Sequence, residues 1–184
     1  MNKLWLTLCL LVSLTSLGFA QTKTVEGTSS GDYYNEAQKR WKEYPIIVYV
    51  DIRCNIYIKG GEDRIIARGL LWEEQREEFI DLLKKSSSWA EMAKNERLEF
   101  KKALGNFMHG RGEEADGIKL TFFSTDKGKQ TDVIMLIRDF KNPSGELELY
   151  LSPKQVKELI ILLEKVPQTL QELREQVKSI KKFQ

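Results

Sequence analysis

Ile46-Ile47-Val48-Tyr49-Val50-Asp51-Ile52-Arg53-Cys54-Asn55-Ile56-Tyr57-Ile58-Lys59 decides the fold class. Every even position from Ile46 to Ile58 is apolar, whereas Tyr49, Asp51, Arg53, Asn55, Tyr57 and Lys59 occupy the odd ones. A period of two sends alternate side chains to opposite faces of a sheet, so this is strand with one face on a core. The run is long enough for one strand, or for two joined by a bulge near Asp51 to Arg53. Gly60-Gly61-Glu62-Asp63 then turns the chain into a second strand, Arg64 to Leu70, and an antiparallel pair follows.

Working outward, Tyr33, Ala37, Trp41 and Tyr44 recur at helical spacing, which predicts a helix over 32–43 with Asp32 as its cap. Beyond the second strand, Phe79, Ile80, Leu82 and Leu83 share one helical face. Ser86-Ser87-Ser88 predicts a joint there, with a further helix carrying Trp89, Met92, Ala93, Phe100, Leu104 and Phe107. Strands are expected at Ile118–Ser124, Asp132–Phe140 and Glu146–Leu151, separated by turns. Ser152-Pro153-Lys154-Gln155 is a helix start: a serine cap, proline in the first turn and glutamine three residues after the cap. Pro167 interrupts that helix, and Leu170, Leu173, Val177 and Ile180 form a stripe suited to packing on another helix, including one of a second chain.

The expected class is therefore α+β, an antiparallel sheet of about five strands backed by helices. A shift that puts Leu71 on Leu151 also aligns Gln75 with Gln155, Ile80 with Ile160 and Leu83 with Leu163. This is the pattern expected of two similar halves, 44–107 and 117–183, each a meander followed by helices.

The first twenty residues carry Lys3, an apolar run from Leu4 to Leu14, and small residues at Gly18 and Ala20, the parts of a cleavable export signal cut after Ala20. The run is short for a membrane span. Residues 21–31, rich in Ser, Thr and Gly, read as a flexible leader, and 32–184 as one domain. Beyond residue 20 the lone cysteine is Cys54, so no intramolecular disulfide forms, and Asn142-Pro143-Ser144 is barred from N-glycosylation by its proline. Both features suit a bacterial periplasm first and secretion to the medium second. With 29 Lys and Arg against 27 Asp and Glu, the chain lacks the basic excess that a nucleic-acid partner demands.

No phosphate loop, dinucleotide fingerprint, nucleophile elbow or zinc-protease helix occurs, and no metal or cofactor is implied. Tyr49, Arg53 and Tyr57 lie on the outward register of the deciding strand, and aromatic residues with arginine are common recognition groups. They are the candidate ligand-binding residues of an exported, non-catalytic binding module of the bacterial envelope. The alternative is an envelope hydrolase, with His109, Glu113 and Asp116 of the 107–117 loop as its catalytic candidates. That loop also reads as a glycine-rich link between halves. Cys54, on the apolar register, is expected to be a buried structural thiol.

Overall fold

The computed structural model describes residues 22–62, 65–110, 115–139 and 145–181. Among these residues, nine antiparallel strands and three α-helices follow in the order β1 (Thr22–Thr24), β2 (Ser29–Asn35), β3 (Arg40–Asp51), β4 (Asn55–Glu62), β5 (Ile65–Trp72), α1 (Arg76–Glu96), β6 (Phe100–His109), β7 (Asp116–Thr125), β8 (Gln130–Arg138), β9 (Glu146–Leu151), α2 (Pro153–Glu164) and α3 (Val166–Lys181). The α+β class and antiparallel sheet agree with the sequence, but the sheet has nine strands where about five were expected. The expected export signal, with its cleavage after Ala20, lies outside the described residues, as do Glu113 and Phe140.

Two four-strand meanders make the sheet, in the order β5-β4-β3-β2-β9-β8-β7-β6, with β1 beside β3. They meet at β2 and β9 through one paired position, Asp32 with Tyr150. Each meander is followed by a helix, α1 after β5 and α2 after β9.

The deciding stretch is a hairpin. Asp51 stops β3 by accepting backbone N–H bonds from Arg53 and Asn55 with one carboxylate oxygen, at 2.8 and 3.0 Å. Cys54 completes the turn with φ of 66°. Val50 pairs with Ile56 and Val48 with Ile58, so the inward parity survives the turn and the alternation reads as though unbroken.

Three other expectations are corrected. Residues 32–43 are strand, turn and strand: Tyr34 pairs with Trp41 and Tyr33 with Lys42, around a turn in which the Gln38 amide reaches both Asn35 oxygens. Aromatic side chains gain more by packing across strands than along one isolated helix, and Tyr34 and Trp41 sit 5.3 Å apart. The stretch taken as a leader enters the sheet as β1 and the start of β2, with Val25 only 2% exposed between them, because the backbone groups of β3 take up its N–H and C=O groups. The helix joint at Ser86–Ser88 is absent: Ser86 donates its hydroxyl to the Leu83 carbonyl within α1, so the helix runs on to Glu96. Phe100, Leu104 and Phe107, expected on that helix, belong to β6, whose pairing slips between Ala103 and Gly105.

The sheet curls until β5 lies against β7. A Cβ on Gly69 would stand 2.5 Å from Ile118 Cγ1 and 2.7 Å from the Gly117 carbonyl oxygen, and one on Gly60 would stand 2.8 Å from Leu149 Cδ1. Inside the curl, Ile56, Ile58, Leu71, Ile118, Leu120, Met135 and Leu149 are all excluded from water. Phe79, Ile80 and Leu83 of α1, Val156, Leu159 and Leu163 of α2, and Leu170 and Leu173 of α3 complete the same core. The helices thus close the inner face, and the outer register keeps Trp41, Ile47 and Trp72 exposed.

Candidate functional site

The outer register of β3, β4 and β5 builds a surface at the sheet's β5 edge. Tyr49 and Tyr57 are cross-strand partners and their rings stack, centroids 5.0 Å apart and 15° from parallel. One pleat along, Lys59 opposes Arg68 of β5. The Arg68 guanidinium lies 5.3 Å over the Tyr57 ring and donates to the Tyr49 hydroxyl. Its Nε is also 3.7 Å from Asp139, a buried carboxylate just past the end of β8. Tyr57 donates its hydroxyl to Asp51 at 3.2 Å, which ties the stacked pair to the turn below.

Burial pushes the Tyr49 phenol up against the opposing effect of Arg68, and burial followed by the Asp51 charge pushes Tyr57 up. Both phenols therefore stay protonated at neutral pH. They offer a donor, an acceptor and a π face.

The curl brings the second set of candidates to the same edge. His109 ends β6 and Asp116 begins β7, opposite one another in register. Trp72, the last residue of β5, stacks on His109 at 4.1 Å and so bridges the gap between β5 and β6. Asp116 accepts the Leu70 backbone N–H, which caps part of the free edge of β5. His109 Nε2 and Asp116 Oδ1 are both buried without a hydrogen-bond partner.

Burial, opposed by the Leu70 hydrogen bond, raises the Asp116 carboxyl above its ordinary value. The folded protein then holds that proton more tightly than the unfolded chain, so stability from this group is greatest at acid pH and is lost as pH rises through the folded-state value. Asp116→Asn keeps an oxygen for Leu70 and removes the titration. Between about pH 4 and pH 7 its melting temperature should fall less, or rise more, than that of the wild type. A wild-type pH response in the variant would contradict burial as the dominant effect.

The structure thus joins Tyr49 and Tyr57 with Asp116 and His109 at one rim. Arg53 does not belong to it: its side chain is exposed in the β3–β4 turn, where its amide serves Asp51. Sequence reasoning missed Arg68, Trp72 and Asp139. The first two share the outward parity of β5, a signal that was present; Asp139 is placed by the curl alone. Among the described residues no group of three His, Cys, Asp or Glu is placed to hold a metal ion. Cys54 is half-buried at its turn instead of lying in a strand, and its Sγ takes a hydrogen bond from Arg174 of α3 at 2.8 Å.

No family model matches the chain, and no curated protein matches it. Among solved structures, one from work on mutations in SsgB that correlate with longitudinal cell division during sporulation of Streptomyces coelicolor covers 82% of this chain and 93% of its own. Identity is 13% and the TM-score 0.36, a likeness too loose to bear on function.

Proposed function

We propose that the protein is an exported, non-catalytic binding module of the bacterial cell envelope that recognises its partner through the outer face of the sheet beside β5. The observation that carries this reading is the stacked Tyr49–Tyr57 pair under Arg68, next to a Trp72 that is 42% exposed, on the register opposite the core residues that the helices cover. Rigid aromatic rings lose little conformational entropy on binding, and a guanidinium already held in place loses less still. The apolar run Leu4–Leu14 supports export, and among the described residues no helix is long and apolar enough to cross a membrane.

The stripe on α3 gives less support to self-association. Leu170 and Leu173 are buried in the chain's own core, leaving half-buried Val177 and exposed Ile180 at the helix end.

Native mass spectrometry of protein purified from the compartment to which its own leader sends it tests this reading. Wild type is expected to retain a ligand or second chain that Tyr49→Ala/Trp72→Ala does not, at a mass lacking residues 1–20. A bare wild-type monomer identical to the variant would contradict the binding reading, and a retained Met1 would contradict the cleaved leader.

A second reading, an envelope hydrolase, rests on the unpartnered His109 Nε2 and Asp116 Oδ1 facing one another across the β6–β7 pair. An ester, amide or glycoside hydrolysis by the wild type that His109→Ala abolishes, with the fold intact, would replace the first reading with this one.

A further inference from the structure

Two cations meet on the outer face beside β5. Lys59 of β4 and Arg68 of β5 stand directly opposite one another in register, and Ile47 of β3 pairs with Lys59 on its other side. Like charges at directly opposed positions, with Cβ atoms about 5 Å apart, destabilise a pair of strands. Asp139 offsets part of this at Arg68, 3.7 Å from its Nε. Lys59 is half-buried and makes no ion pair among the described residues.

The acids beside them have no capacity to spare. Asp51 already accepts the Arg53 and Asn55 backbone amides on one oxygen, and on the other the Asn55 side-chain amide at 2.9 Å and the Tyr57 hydroxyl at 3.2 Å. A carboxylate has about four acceptor positions, so Asp51 is saturated. Asp139 is only 8% exposed. Donors, by contrast, remain. Arg68 donates to the Tyr49 hydroxyl, which leaves the phenol's own O–H to donate, and Lys59 brings three N–H groups.

Apolar surface flanks the cations. Ile47 is 37% exposed beside Lys59, and Trp72 lies four residues along β5 from Arg68, on the same face and about 13 Å away at the rise of a strand. This face is the outside of the curl and therefore convex. Small molecules bind in concavities, whereas an open patch of Tyr, Trp and Arg has the composition of a protein interface.

We propose that this face binds an acidic segment of a partner protein in extended conformation. One carboxylate of the segment sits between Lys59 and Arg68 with the Tyr49 O–H as a further donor, and an apolar side chain four residues away packs on Trp72. This rests on the reading of the β5 face as the recognition surface, and it adds the charge and spacing of what is recognised.

Fluorescence anisotropy with the full chain and a labelled peptide, carrying two glutamates and a phenylalanine four residues after the second, tests this in about 0.15 M salt. Saturable binding is expected, about tenfold or more weaker when both glutamates are replaced by glutamine. Lys59→Gln should weaken it about three- to tenfold, and Trp72→Ala by a similar factor. Lys157→Gln, which removes the same charge from the exposed face of α2, should leave it unchanged. Absence of saturable binding, equal affinity for the glutamine peptide, wild-type affinity in Lys59→Gln, or an equal loss in Lys157→Gln would overturn the proposal. Tighter binding of a galacturonate oligomer than of the peptide would overturn it in favour of an anionic glycan. If these peptides fail while native mass spectrometry still shows a ligand held through Tyr49 and Trp72, the recognition surface stands and only the acidic partner is lost.

Discussion

Gly69→Val is expected to destabilise the protein by about 3 kcal/mol, the upper end of what overpacking costs. At about 2–4 °C per kcal/mol for a chain of this size, the melting temperature should fall by roughly 6–12 °C. The reason is the closeness of β5 to β7: even a Cβ at Gly69 would meet Ile118 Cγ1 at 2.5 Å, the Gly117 carbonyl oxygen at 2.7 Å and its carbon at 3.0 Å. A flexible side chain could step aside, but the Gly117 backbone cannot without shifting β7. Relief comes only by moving β5 outward, which lifts Arg68 from the Tyr57 ring and Trp72 from His109. Loss of stability and disturbance of the rim should therefore appear together, in thermal unfolding and in the fluorescence of Trp72. A melting temperature within about 1 °C of wild type would show that β5 does not pack against β7.

Phe79→Ala is expected to cost about 3–5 kcal/mol, measured as a lower midpoint of urea unfolding at an unchanged slope. Phe79 has no exposed surface and its ring centroid stands 5.0 Å from that of Phe107 on β6. It is the largest side chain of α1 that is fully buried, and no neighbouring residue can fill the space without leaving its own contacts. A change at Ile180, half exposed at the end of α3, should stay within about 0.5 kcal/mol by contrast. Equal effects at the two positions would contradict the assignment of α1 to the core.

How much of this could be read from the residues differs from element to element. Strand parity is legible wherever pairing is regular, and the alternation alone assigns Tyr49 and Tyr57 to the outer face. Parity failed at β6 for a local reason. The slip between Ala103 and Gly105 switches the inward set from Phe100 and Lys102 to Gly105 and Phe107, so the apolar spacing imitates a helix. It failed at Tyr33 to Tyr44 because a hairpin with a short turn also repeats aromatic positions at helical intervals, and the deciding contact, Tyr34 on Trp41, runs between strands. The rim itself is a product of curvature. Arg68 and Trp72 carry a readable parity, but their meeting with Asp139, His109 and Asp116 requires β5 to reach β7, a fact held in the glycine at 69 and in no periodicity.

Photocrosslinking from the outer face tests the central claim most directly. A photoreactive phenylalanine analogue in place of Tyr57, in cells exporting the full chain, is expected to capture a discrete partner, while the same analogue at Glu91 on α1 captures none. Arg68→Ala in the Tyr57-labelled protein should abolish the adduct, since the guanidinium lies over that ring. No adduct at Tyr57, or the same adduct from both positions, would contradict recognition by this face of the sheet.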